Sequence, residues 1–260
     1  MSTKRVKLTV AYDGTDFCGW AAQAGRRTVQ STLTEAVRQV SDEDCEIIGA
    51  SRTDSGAHAL GQVCHFDTTR PIAAEAWVRS LNRRLPSDVR VLQARHVAKR
   101  FHSRFCAEDR LYRYRILTAV ADPLKGRFAH ELGRSLDLNL VEEAAACLVG
   151  KHDFRAFTES LAADVENTVR TLRKIRIRKS GPEVFIEIVG TAFLRGMMRR
   201  MAGVLQEVGR GQRPLEDVNR LLTPNGMKMH RPVVLPAKGL TLIKVRYGSP
   251  LRDCRLFPDS

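Results

Sequence analysis

The sequence predicts an α+β protein built from two successive β-α-β-β-α-β halves. Short runs alternate apolar and polar residues, as half-buried strands do. Longer stretches between them carry apolar residues at helical spacing. The order of these elements in residues 1–105 then recurs in residues 106–260. Each half has the element order of a ferredoxin-like unit, an antiparallel sheet with helices on one face. No strict sequence repeat accompanies it, so the duplication rests on element order.

In the first half, Leu8, Val10 and Tyr12 alternate along a strand that ends at the turn signal Asp13-Gly14-Thr15. Thr28 is placed to cap a helix with a stripe of Val29, Leu33, Ala36, Val37 and Val40. Glu46-Ile47-Ile48 and Gln62-Val63-Cys64-His65-Phe66 read as two strands. Ala74, Trp77, Val78 and Leu81 mark a second helix, which must end before Pro86. Val89–Leu92 opens another strand.

The second half opens with Tyr112, Tyr114 and Ile116 alternating with Arg113 and Arg115. Leu140, Val141, Ala144, Cys147 and Leu148 form a helical stripe. Lys174–Arg178 and Val184–Ile188 form a hairpin about Ser180-Gly181-Pro182. Met197, Met198, Met201, Val204, Leu205 and Val208 make the next helix, and Leu240–Tyr247 the last strand. The boundary falls near residues 100–110, and a basic cleft between the halves is the expected ligand site.

The 260 residues hold 43 Lys plus Arg against 29 Asp plus Glu, a formal net charge of +14. Such a charge speaks of partners, and a nucleic acid is the first candidate. No apolar run reaches membrane-spanning length, and the N-terminus lacks a signal-peptide pattern, so a cytoplasmic location is expected. The six cysteines (Cys18, Cys45, Cys64, Cys106, Cys147 and Cys254) form no close pair. That argues against zinc, and all six are expected as reduced, mostly buried thiols. His58, His65 and His102 match no metal spacing, and glycine-rich phosphate loops are absent.

The stretch Ser51-Arg52-Thr53-Asp54-Ser55-Gly56-Ala57-His58-Ala59 carries more than a turn needs. Asp-Ser-Gly suffices for the bend. Arg52 adds a cation that would keep the Asp54 carboxylate charged, suiting a nucleophile or base. His58 adds a second polar group. Tyr112, flanked by arginines, reads either as a core tyrosine or as a ring that stacks on a base. Arg199, opposite the methionine stripe and on the face of Arg195, reads either as part of a solvated face or as a cation aimed at a cleft or at RNA.

These residues resemble the TruA-type tRNA pseudouridine synthase family. "SRTDSGAHALGQVCHF" is similar to its catalytic segment. "YDGTDFCGW", "TVQSTL", "LNRRLPSDVRV", "FHSRFCAEDRLYRYRI", "GKHDFRAF", "GTAFLRGMMRRMAGVL" and "PAKGLTLIKVRY" follow in the family's order over nearly the whole chain. Ser51 stands where the family has glycine, and Ala21 where it commonly has glutamine.

The resemblance implies isomerisation of uridine to pseudouridine in the anticodon stem-loop of tRNA. It implies one continuous antiparallel sheet shared by the halves, a homodimer, and no metal or organic cofactor. Matched position by position, Asp54 is the catalytic aspartate, Arg52 the motif arginine that holds substrate, Arg199 the aspartate's partner and Tyr112 the ring against the uracil. His58 is grouped with the substrate contacts. A non-catalytic RNA-binding protein of the same fold is the alternative. A carboxylate-dependent nucleoside hydrolase is the other rival, but the segments offer one obvious carboxylate where such enzymes use two.

Overall fold

The computed structural model describes residues 3–120, 123–158 and 167–248. Ten strands and six α-helices occur among them, mixed α+β with mostly antiparallel pairing. The chain forms two compact units, Met1–Glu108 with Leu242–Ser260, and Asp109–Thr241. No helix among the described residues is long and apolar enough to cross a membrane.

The first unit holds strands β1 (Lys4–Tyr12), β2 (Ile48–Gly49), β3 (His58–Thr68) and β4 (Val89–Val97), with helices α1 (Val29–Ser41) and α2 (Ala74–Asn82). β1 pairs antiparallel with both β3 and β4. β2 is only two residues long and lies on the other edge of β3.

Alternation decides which side chains enter the core. Val6, Leu8 and Val10 of β1 are fully buried, and across the sheet they face Phe66, Cys64 and Gln62. Trp77 of α2 closes on Phe66 edge-to-face, with ring centroids 5.1 Å apart. The alternate side chains of β1 meet the segment that leaves β4. Arg5 ion-pairs with Asp67 at 2.7 Å and donates to the Phe101 carbonyl at 2.7 Å.

α1 begins as its sequence suggests. Thr28 accepts from the Ser31 N–H at 3.3 Å, and the Ser31 hydroxyl closes a capping box. Thr28 is wholly buried. Thr28→Ala is therefore expected to cost about 1–2 kcal/mol of stability, read as a lower denaturant midpoint with unchanged m-value.

The second unit opens within β5 (Ala107–Leu117), at Asp109. It continues through α3 (Pro123–Gly126), β6 (His130–Glu131), α4 (Leu138–Leu148) and β7 (Gly150–Asp153). The hairpin β8 (Val169–Ser180) and β9 (Glu183–Gly190) follows, then α5 (Met197–Gly209) and α6 (Glu216–Leu221). Strand order is β5-β9-β8-β7, with β6 parallel on β5. Tyr112, Tyr114 and Ile116 of β5 face Ile188, Ile186 and Val184 of β9, and all six are buried.

The last strand, β10 (Leu240–Tyr247), reads from sequence as the close of the second half. From Leu242 onward it belongs to the first unit and runs beside β3. Gly61 of β3 makes room for it, since a Cβ there would lie 3.3 Å from both the Ile243 carbonyl carbon and the Lys244 Cα. Tyr247 donates to the Ser103 carbonyl at 2.7 Å, and the Lys7 ammonium sits 4.3 Å from its ring centroid.

The cysteines depart from expectation at one position. Cys18, Cys45, Cys64 and Cys147 are free, but Cys106 is disulfide-bonded. Sequence spacing misleads here because bridging depends on separation in space. Cys45 and Cys64 are buried, Cys18 and Cys147 half-buried, and Cys254 lies outside the described residues.

Candidate functional site

The loop 50–57 links β2 to β3, and its shape comes from a turn. The Ala57 N–H donates to the Asp54 carbonyl at 3.1 Å, and Gly56 has φ +79°. That is the pattern of a type II turn, whose third residue must adopt positive φ. The Ser55-Gly56 bend expected from sequence is present. Asp54 is its first residue, half-buried, while Arg52 is exposed.

A second loop, residues 13–20, holds the first in place. The Trp20 N–H donates to the Thr53 carbonyl at 3.1 Å. The Phe17 carbonyl accepts from the Gly56 N–H at 3.3 Å and the Ser55 hydroxyl at 3.2 Å. Behind these, the Tyr12 and Thr53 hydroxyls share a buried hydrogen bond of 2.8 Å.

Two glycines permit the approach. A Cβ on Gly14 would lie 2.6 Å from the Ala57 carbonyl carbon and closer still to its oxygen; one on Gly19 would lie 2.7 Å from the Thr53 oxygen. Both backbones pass where a side chain has no space. The loop 13–20 is anchored in turn. Phe17 and Trp20 are buried, and the Arg27 guanidinium covers the Phe17 ring at 3.9 Å while pairing with Asp88 at 2.9 Å.

His58 belongs to this framework. Its ring is 4 % exposed, and Nδ1 lies 3.0 Å from the Gly14 N–H. An amide can only donate, so Nδ1 accepts there. Ser51, whose side chain is half-buried, lends its carbonyl to the fully buried Gln62 amide at 2.7 Å. Gln62 also accepts from the Val63 N–H at 3.1 Å, so one buried side chain bridges the start of the loop to β3. Arg104 carries a second cation near Arg52. Burial, and then the like charge of Arg52, hold its guanidinium below the usual range.

Tyr112 and Arg199 lie in the second unit. Tyr112 is 5 % exposed, its ring meeting the edge of Phe193 at 5.0 Å and 74°. Arg199 stands in the first turn of α5, half-buried. Its Nε donates to the Leu235 carbonyl at 2.6 Å. Arg200 donates likewise to the Pro232 carbonyl at 2.6 Å.

The polar side of α5 is therefore not a solvated face. The segment 231–236 crosses it, and Gly203 makes the crossing possible: a Cβ there would sit 3.1 Å from the Val233 carbonyl carbon. The same segment reaches Tyr114, whose hydroxyl donates to the Pro236 carbonyl at 2.7 Å. Burial pushes the Tyr114 phenol well above its ordinary range, and the Arg199 charge offsets part of that.

The sequence singles out Asp54, Arg52, Tyr112 and Arg199; it does not single out Gly14, Gly19, the Tyr12–Thr53 pair or Phe193. Asp13-Gly14-Thr15 signalled a turn, and nothing local shows what that turn packs against.

The family model for "tRNA pseudouridine synthase" matches residues 8–106 and 144–248. The chain belongs to the tRNA pseudouridine synthase family. It is 42% identical over 254 residues to tRNA pseudouridine synthase A of Solidesulfovibrio magneticus, covering 95% of this chain and 92% of that one. It is 39% identical over 221 residues to the Halalkalibacterium halodurans protein of the same name, covering 84% of each. The Syntrophotalea carbinolica protein, again of that name, is 38% identical over 250 residues, covering 96% of this chain and 98% of its own. The first family segment contains both the 13–20 loop and the Asp54 loop. The second contains Phe193, Arg199 and the 231–236 crossing.

Proposed function

We propose that this chain isomerises uridine to pseudouridine in the anticodon stem-loop of tRNA, with Asp54 as the reacting carboxylate. One observation supports the assignment above the others. Asp54 begins a turn held from the 13–20 loop through the Thr53 carbonyl just before it, the Ser55 hydroxyl and the Gly56 N–H. A turn that merely reversed the chain would need no such support, whereas a reacting group must be held in register with its target.

The glycosidic bond from C1′ to N1 breaks, the uracil turns while held, and C5 bonds to C1′. Asp54 serves either by adding to C1′ or by taking a ribose proton. The uridine must leave its stack to reach the carboxylate. Arg199 supplies a further cation to the reaction. Arg52 holds the substrate and its extruded nucleotide, Tyr112 packs on the uracil face, and His58 acts by fixing the 13–20 loop. The protein works in the cytoplasm as a homodimer, without metal or organic cofactor.

The finer fold reading, two ferredoxin-like halves, is part of the same proposal. The first supplies the Asp54 loop and the second Tyr112 and Arg199. The arrangement of β4, β1 and β3, with β2 on the far edge of β3, supports it for the first half.

The test is release of tritium from tRNA labelled at uridine C5. Release by the wild-type protein is expected. A protein that binds tRNA and releases none would be the non-catalytic alternative. Tyr112→Ala is expected to lower kcat/KM by roughly 10- to 100-fold, the worth of one stacked base, with Tyr112→Phe within a few-fold of wild type. Equal, severe losses in both would move the role from the ring to the hydroxyl.

A further inference from the structure

Among the described residues, the second unit's sheet has one buried face and one more open face, whose side chains are half-buried or exposed. On the open face, cross-strand register sets three rows: Leu111, Val189 and Lys174; Arg113, Glu187 and Arg176; Arg115, Phe185 and Arg178. The two carboxylates there are taken by β5. Arg113 pairs with Glu187 at 2.6 Å and Arg115 with Glu183 at 2.6 Å.

Their neighbours on β8 are left over. Lys174, Arg176 and Arg178 are exposed, and among the described residues no carboxylate lies within the 4.0 Å of an ion pair. β7 pairs with β8 only from Val169 to Leu172, so among the described residues β8 beyond that point is an open edge. Alternate side chains on a strand stand about 7 Å apart. The three cations therefore form an evenly spaced row along that edge.

A charged edge has a second use, to block pairing with another sheet. One cation serves that purpose. Three on a single face, beside Phe185 half-exposed under the Arg113 guanidinium at 5.3 Å, make a surface suited to a polyanion. A second copy of the chain would bring the same cations with it, so like charges oppose self-docking there.

We infer that Lys174, Arg176 and Arg178 form a phosphate-binding row for the tRNA backbone, separate from the residues that act on the uridine. The inference rests on tRNA being the substrate, as proposed above. The row serves affinity and not chemistry, so it acts through KM and through salt dependence.

The experiment compares wild type with the full-length triple variant Lys174→Gln, Arg176→Gln, Arg178→Gln, and with a charge-keeping variant, Arg176→Lys, Arg178→Lys. Because all three side chains are exposed, the changes open no cavity, and thermal melting checks the fold. Binding of a transcribed tRNA is measured from 50 to 200 mM salt. Each lost phosphate contact lowers the slope of log K against log salt by about 0.7–0.9. The triple variant is expected to lose about 20- to 40-fold less affinity over that range than wild type. Its kcat at saturating tRNA should match wild type, and the Lys variant should keep the wild-type slope.

An unchanged slope in the triple variant overturns the inference. So does a changed oligomeric state with the slope intact, which would make this edge a contact between copies. Absence of turnover in the wild type would instead strike the proposed function, and the binding slopes would still be read independently.

Discussion

A protein carrying Asp54→Asn is expected to bind tRNA and leave its uridine unchanged. Asparagine keeps the size and shape of aspartate and is itself a favoured turn residue, so the bend at Ser55-Gly56 persists. What is lost is the negative oxygen. An amide neither adds to C1′ nor accepts a ribose proton at neutral pH, so turnover should fall by roughly 10⁴-fold or more. Tritium release gives the rate and a binding titration shows that the tRNA still docks. Wild-type turnover in Asp54→Asn would remove Asp54 from the chemistry altogether.

Gly14→Ala should be nearly as damaging, although Gly14 carries no reacting group. The new methyl would fall on the Ala57 carbonyl, which belongs to the Asp54 turn and the start of β3. One of the two loops must move. Overpacking of this kind costs about 1–3 kcal/mol of stability. A shift near 1 Å at the reacting group costs about 100-fold in rate. Gly25→Ala is the matched control. Gly25 has φ +67° but nothing within 4 Å of the added Cβ, so it carries backbone strain alone. It should lose about 1–2 kcal/mol and keep its kcat. If Gly14→Ala melts lower yet turns over at the wild-type rate, the 13–20 loop does not position Asp54.

Most regular elements were legible because each is a periodic pattern of its own. The stripe Val29, Leu33, Ala36, Val37 marks α1, and Thr28 caps it as read. The hairpin about Gly181 is equally plain, with Gly181 at φ +56° in its turn. What periodicity withholds is partnership. Leu240–Tyr247 alternates like any strand, and nothing in it says that most of it joins the first unit. β2 shrinks to two residues, because an apolar run specifies burial and not the length of a ladder.

The site divides the same way. Asp54 and Arg52 stood out because they exceed the needs of a turn. Gly14 and Gly19 did not, since a glycine in a loop is ordinary until the backbone opposite it is known. The apolar stripe of α5 left its polar side open to two readings, a solvated face or a cation aimed at a cleft or at RNA. Only the crossing at Gly203 shows Arg199 and Arg200 held beneath a segment more than thirty residues on (36 for Arg199 to Leu235).

The contact between Gly14 and the start of β3 joins residues 44 apart, Gly14 and His58. β1 and β3 must already be in register, Tyr12 opposite Ala59, before the two loops can touch. α1 and α2 draw on local contacts and can form earlier, but long-range pairing must first meet the entropy of closing the intervening chain. The Asp54 loop is thus expected to be completed late, when the first unit is nearly whole. A chain that has regained its helices but not this pairing is expected to carry Asp54 without the contacts that fix its loop. Turnover is therefore a sterner measure of folding for this protein than any signal from its secondary structure.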